Sequence, residues 1–377
     1  MTSTPTFDRG FSTPRMTEVF SPASTLSAIL EFEAALAGAL GDVGIAPTEE
    51  AEAVAAACHE PLPEPEALLA GTWEAGTPLI AIRAGIESRL EGASKRWVHY
   101  GATSQDAIDT GRMIQAKRGL EILEGATVSV ARQLRSLMLE HRDQPHMART
   151  FLQDAVPTSF GARVAGWLSP TLERIVELRD AGAALRAQLG GPSGDLGVYG
   201  ESSTEVTRAL ASRVGLIAPP VPWHGDRSPI WSLARTVEAT ALTMAKIATD
   251  ITLLAQSSVA EVSTRPGGSS SMPGKRNPID AVRVAAAASA CSGFASMLTT
   301  APTIQLDRGV GGWHTEWLAI PMLFQTGAAS MEAMEMCLSF LRVDTVRMGA
   351  AAGGVTVADI GLVDLILERC EQVGLGP

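Results

Sequence analysis

From Ser228 to Ser258, apolar residues recur at steps of three or four: Ile230, Leu233, Val237, Ala241, Met244, Ile247, Ile251 and Leu254. That spacing gathers them on one face of an α-helix and scatters them over both faces of a strand, so it predicts a helix. Ser228 suits the N-cap and Pro229 the first helical position. A rod of about 30 residues spans about 45 Å, and a rod that long buries its apolar stripe only against others like it. The same spacing recurs over roughly 104–141, 157–190, 277–301 and 313–341. Strand signals are nearly absent. The expected fold class is therefore all-α, a bundle of long helices.

Ahead of the bundle the pattern shortens. A polar arm or short helix is expected over 1–20. Ser21-Pro22 opens a helix with Leu26, Ile29, Leu30, Phe32 and Leu36 on one side and Gly41 near its end. Thr48 opens another, with Glu49, Glu50 and Glu52 in the first turn, where the helix dipole favours acids. Shorter helices are expected at 64–73 and 78–90, and a loop at 91–104. The expected organisation is an N-terminal helical domain over 1–103, the bundle over 104–345, and a truncated C-terminal helical segment over 346–377.

Composition excludes several classes of function. Lys and Arg number 30 against 41 Asp and Glu, a net charge of −11. No basic excess is available to displace counterions from a nucleic acid. With 46% hydrophobic and 19% charged residues the chain is not disordered. Cys58, Cys291, Cys337 and Cys370 form no CxxC pair, so neither a zinc knuckle nor a disulfide scaffold is supported. No signal-type leader and no apolar run of about 18 residues appears. The expectation is a protein of the reducing cytoplasm, away from membranes.

Between the rods lie Gly/Pro/Ser-rich stretches, at 190–203, 218–229, 259–278 and 307–314. Loops at the ends of rigid helices are where chemistry usually sits. The densest, 267–278, holds three glycines, three hydroxyls, Lys275, Arg276 and Asn277 just before a predicted helix. It reads either as an anion site at a helix start or as a flexible polar linker. A nucleotide P-loop is rejected, because five residues separate Gly268 from Gly274 and Arg276 follows Lys275. No cofactor or metal is implied.

Residues 268–278, GSSSMPGKRNP, resemble the signature loop GSSxMPxKxNP of the fumarase/aspartase superfamily. The resemblance implies homotetramers of long helices with active sites assembled from three subunits. It implies that Ser269 moves a proton on and off carbon, with Lys275, Asn277 and loop N–H groups stabilising the charge that develops. Residues 99–106, HYGATSQD, are similar to the HxGATSQD of bacterial 3-carboxy-cis,cis-muconate cycloisomerases and to the H-x-G-x-T-S-x-D of adenylosuccinate lyases. Such a segment cups substrate carboxylates. Read without the resemblance, it is a helix N-cap at Ser104 beside an incidental His.

Residues 149–157, RTFLQDAVP, resemble a second region in which fumarases and adenylosuccinate lyases carry RTH and the cycloisomerases an aromatic. Phe151 cannot carry a proton, which favours the cycloisomerase branch. In lactonisation the substrate's own carboxylate is the nucleophile, so no base is needed to activate water. Lesser matches are PWHxxR at 222–227 and Asp307-Arg308 followed by GWHTEW at 312–317, where Asp307 stands for a Glu.

The resemblance runs from FSTPRMTEVFS at residue 11 to about 345. It makes Ser269, Lys275, Asn277 and His99 the expected catalytic residues. Thr103, Ser104, Thr150 and Gln153 are expected to orient carboxylates. Gln105, Arg149, His224, Ser270 and Met272 are expected to bind substrate as well, and His99, Arg308 and His314 to add charge or donors. The expected partners are a di- or tricarboxylate and further copies of the chain. Two departures stand out. The segment Glu261–Gly267 is several residues short, and the chain ends at Pro377 where relatives continue into a small helical domain. The alternatives are the same chemistry on a 3-sulfo-substituted muconate, an adenylosuccinate- or argininosuccinate-type lyase, and a silent assembly protein. His59, His141 and His146 match nothing and are expected to be surface or structural.

Overall fold

The computed structural model describes residues 8–376, except 63, 273, 301–305, 308–310, 356 and 358–360. The chain opens with α1 (Pro14–Val19), α2 (Pro22–Asp42), α3 (Thr48–His59) and three short helices, α4 (Pro65–Ala70), α5 (Thr72–Ala75) and α6 (Leu79–Glu87). The first rod, α7 (Ser104–Glu140), leads to a hairpin of β1 (Pro145–Thr150) and β2 (Gln153–Ser159). Then come α8 (Phe160–Ala183), α9 (Ser203–Arg213) and α10 (Ser228–Ala255). Two-residue strands β3 (Val262–Ser263), β4 (Pro266–Gly267) and β5 (Asn277–Pro278) precede α11 (Ile279–Thr300) and α12 (Gly312–Ser339). Strand β6 (Arg342–Val343), α13 (Thr345–Ala351) and α14 (Leu362–Gln372) follow. The fold is helical, as the periodicity requires, and α7, α8, α10, α11 and α12 lie side by side.

Local chemistry explains most boundaries. Ser21 Oγ accepts from the N–H of Ser24 at 3.1 Å and Pro22 takes the first position of α2. Three expectations are corrected. Thr103, not Ser104, caps α7, in a capping box with Asp106. Ser228 is the first residue of α10 and not its cap; its hydroxyl turns back to Asp226 at 2.9 Å. The helix expected from 157 starts at Phe160, because 145–159 pair as an antiparallel hairpin. Phe151 and Leu152 form its turn at φ 52° and 62°. Two left-handed residues in a row match the strands' own twist, a conformation that apolar periodicity does not encode. That helix also ends early, at Ala183, where Arg186 leaves to bridge Ile217.

Two apolar cores hold the molecule. One runs between the rods, through Leu134, Trp167, Leu172, Met244, Ile251, Phe324 and Met334. All eight residues that marked α10 as a helix in the sequence are buried. The second core joins α2, α3 and α6 to Ile108 and Ile114 of α7 and to Leu189, Tyr199 and Leu210. After α8 the chain therefore returns to pack on its own first hundred residues. Helices α2 and α11 have the length and hydropathy to cross a membrane, but α2 carries Glu31 and Glu33 and is largely buried in the second core. The outward face of α11 is a stripe of Val282, Ala285, Ala286, Ser289, Gly293 and Ser296.

The rods give the molecule two poles. The N-terminal ends of α7, α10 and α12 meet through Asp109, Arg227 and Glu316. At the far end, the hairpin, the chain after α10 and the end of α12 meet through Arg149, Glu261 and the pairing of β3 with β6. The 37 residues of α7 separate the poles by about 55 Å.

Candidate active site

The first pole is built around Asp106, which is fully buried. Its Oδ1 accepts from Gly190 N at 2.9 Å and pairs with His224 Nε2 at 2.7 Å. Its Oδ2 accepts from Thr103 N and Gly191 N, both at 2.9 Å. One carboxylate thus ties the 99–106 loop to two others. The approach is close enough to require glycine. A Cβ on Gly191 would lie 2.7 Å from the carbonyl oxygen of Gly101, and both residues have φ of +71°.

His99 is held in the left-handed region, φ 57°, with Nδ1 2.6 Å from Glu33 Oε1. Burial pulls its pKa down, but the buried Glu33 carboxylate outweighs that and raises it above the usual histidine value. The imidazolium therefore persists to higher pH, and Nε2 is the ring nitrogen left for another partner. Beneath this loop Arg227 bridges Asp109 and Glu316, and Trp313 Nε1 donates to Asp109 Oδ1 at 2.9 Å.

The second pole carries the signature loop. β4 pairs with β5, so the described residues between them, 268–272 and 274–276, loop out at the surface instead of running straight into α11. Ser269 Oγ accepts the N–H of Met272 at 3.0 Å, and Asn277 Nδ2 donates to Gly268 O at 3.2 Å. Gly274, at φ 88°, turns the chain so that Lys275 N reaches Met272 O at 3.2 Å. The N-terminus of α11 does not wait for an outside anion: Asp280 fills its first turn and is paired with Arg265 at 2.6 Å. Lys275 and Arg276 lie ahead of the helix, exposed.

Beside this loop, Arg149 donates through Nη1 to Glu261 Oε2 at 3.0 Å and through Nη2 to Glu261 Oε1, and His146 Nδ1 lies 3.5 Å from Oε2. Burial would raise the Glu261 pKa, but His146 and Arg149 outweigh it and hold it at about 2. A carboxylate depressed in the folded state stabilises fully above its unfolded value, near 4.5, and loses that contribution as pH falls toward 2. Urea unfolding from pH 5.5 to 2.5 should therefore show stability falling with acidity, on the order of 2 kcal/mol from this group. Glu261→Gln should flatten that part of the curve; an unchanged slope would show that Glu261 does not carry it.

The candidates thus fall into two groups. His99, Thr103, Ser104, Gln105, His224 and His314 are at the first pole; Arg149, Thr150, Gln153, Ser269, Ser270, Met272, Lys275 and Asn277 are at the second. Arg308 lies outside the described residues. Gln105 and His224 are buried, and both serve the loop framework: Gln105 Nε2 donates to Asp109 and to the carbonyl of His224. Arg149 is engaged by Glu261. Sequence analysis missed Glu33, Asp109, Glu261 and Glu316. Glu33 had a signal: it interrupts the stripe Leu26, Ile29, Leu30, Leu36, Leu40, an acid where only apolar groups belong. Asp109 and Glu316 stood inside or beside the quoted motifs, but nothing in the sequence joins them to Arg227.

A model of the family described as lyase matches residues 9–293. The chain belongs to that lyase family, within the fumarase/aspartase superfamily. It is 35% identical over 350 residues to the 3-carboxy-cis,cis-muconate cycloisomerase of Pseudomonas aeruginosa, covering 91% of this chain and 76% of the relative. The crystal structure of the 3-carboxy-cis,cis-muconate lactonizing enzyme from Pseudomonas putida superposes with a TM-score of 0.84 at 31% identity, covering 99% of this chain and 83% of that one. A nitrosuccinate lyase from Streptomyces davaonensis is 33% identical over 359 residues, 90% of this chain and 75% of the relative. The helical fold is that of its solved relatives, and the chain is an enzyme of the lyase superfamily.

Proposed function

We propose that the protein is a cycloisomerase that interconverts 3-carboxy-cis,cis-muconate and 4-carboxymuconolactone, acting in the cytoplasm in the breakdown of protocatechuate. The observation that carries this over an amine or water lyase is Phe151 at the tip of the hairpin, where a proton-carrying histidine would otherwise be expected. Relatives named for this reaction support it.

In the lactonising direction, an oxygen of one substrate carboxylate bonds to a carbon of the double bond. The π electrons move to the neighbouring carbon and into its carboxylate, giving an enolate-like species. Ser269 Oγ delivers its proton to that carbon; in reverse, the alkoxide takes it back. A serine hydroxyl is a weak acid, so its alkoxide needs donors. The Met272 N–H already points at Oγ, and Lys275 and Asn277 stand in the same loop. These groups stabilise the developing charge more than the ground state. His99, Thr103 and Ser104 hold the other carboxylates. The overall charge of −11 repels a polyanion, so local cations must outweigh the global field.

With the poles about 55 Å apart, one chain cannot bring His99 to its own Ser269. The proposed site is composite, in a homotetramer, with the first pole of one copy facing the second pole of another. The small-residue stripe of α11 allows close helix contact, and Phe151 and Leu152, 99% and 67% exposed, are surfaces that a neighbouring copy would cover. The test is an ultraviolet assay of 3-carboxymuconate consumption, with 3-sulfomuconate and nitrosuccinate in parallel, on protein sized by light scattering. Turnover of the carboxymuconate by a tetramer is expected. A monomer, or faster turnover of either competitor, would overturn the reading.

A further inference from the structure

A cavity of 510 Å³ opens at the first pole where α2, α7 and α12 converge, within the range of small-molecule sites, about 300–1,000 Å³. Its walls are mainly apolar, Ile29 and Trp317 among them, with Thr25, Gln115, His314 and one cation, Arg112. Arg112 is held in place from one side. Its Nη1 donates to Gln115 Oε1 at 2.8 Å, and Gln115 is itself fixed by donating to Val19 O at 2.7 Å and Thr25 Oγ1 at 3.2 Å. Among the described residues no carboxylate pairs with it, and burial alone lowers its pKa, to about 10.

It is therefore still charged at neutral pH, in a partly apolar wall. A charge withdrawn from water is ordinarily paired. The remaining guanidinium donors, Nε and Nη2, form a fork suited to a planar carboxylate. We propose that this cavity binds a small organic monocarboxylate, its carboxylate on Arg112 and its apolar body against Ile29 and Trp317. The inference goes beyond the cycloisomerase reading: it uses neither Ser269 nor the signature loop.

The test is calorimetric titration of the whole protein with benzoate, and with benzamide as its neutral counterpart. Benzoate should bind at least about tenfold more tightly than benzamide. Arg112→Gln should remove that preference, Arg112→Lys should restore part of it, and Ser269→Ala should leave it intact. The melting temperature without ligand shows whether each variant is folded; if Arg112→Gln is not, Arg112→Leu takes its place. No heat up to about 10 mM benzoate, equal binding of the two probes, or undiminished binding in the folded Arg112→Gln variant would overturn the proposal. Because binding is read directly, absence of cycloisomerase activity would leave it standing.

Discussion

Ser269→Ala is expected to keep substrate affinity within a few fold and to lower kcat by about 10³-fold, the middle of the range for removing a positioned proton donor. The reason is a division of labour between the poles. In the proposed tetramer the carboxylate contacts assigned to His99, Thr103 and Ser104 would come from another copy and would not touch Ser269, so they should survive the change. What is lost is the atom that exchanges a proton with carbon. The Met272 N–H that now meets Oγ at 3.0 Å would be left without its partner, but in a solvent-exposed loop water can replace it, so folding should not suffer. A kcat within tenfold of the parent, or an effect confined to KM, would remove this serine from the chemistry. Unfolding and reassembling Ser269→Ala together with an inactive His99→Ala variant gives a sharper readout. Mixed tetramers in which intact poles face each other should regain a fraction of the activity that neither parent shows.

The separation behind that experiment is where legibility in the sequence ended. The rods were readable because their stripes obey one local rule, the 3.6-residue turn; α10 is the clearest, with each of its eight marked residues buried. The hairpin was not, since a turn built on Phe151 and Leu152 in left-handed geometry has no composition to announce it, lacking the usual Gly or Asn. Motifs named the loops, and the poles show what the motifs could not. Of the residues gathered by HYGATSQD, His99 and Thr103 stand with the loop, whereas Gln105 and Asp106 turn inward and fasten it. Pairings such as Glu33 with His99, 66 positions apart, or Asp106 with His224, 118 apart, depend on the folded topology. A single sequence shows that an acid interrupts an apolar stripe, but not which cation or donor will answer it.

Arg227 is where this topology should cost most when broken. Its guanidinium, 1% exposed, faces Asp109 at 2.8 and 3.1 Å and Glu316 at 2.9 and 2.5 Å, and stacks 4.7 Å from the Trp223 ring. Arg227→Met fills much of the volume but leaves two buried carboxylates without a cation, a loss of about 3–5 kcal/mol and roughly 5 °C in Tm. The pH dependence separates this from mere packing damage. Burial already holds the Glu316 pKa above the usual carboxylate value, with Arg227 opposing that rise. Without Arg227 it climbs further, so the folded variant takes up a proton that the unfolded chain releases. Its deficit should shrink as pH falls from 8 toward 5, whereas a packing defect would be constant. Replacing all three residues by apolar ones, Asp109→Leu, Arg227→Met and Glu316→Leu, should cost less than Arg227→Met alone, because no charge is then stranded. A pH-independent deficit in the single variant would mean that the carboxylates find water or other donors, and the first pole would then owe its shape to the Asp106 cradle instead.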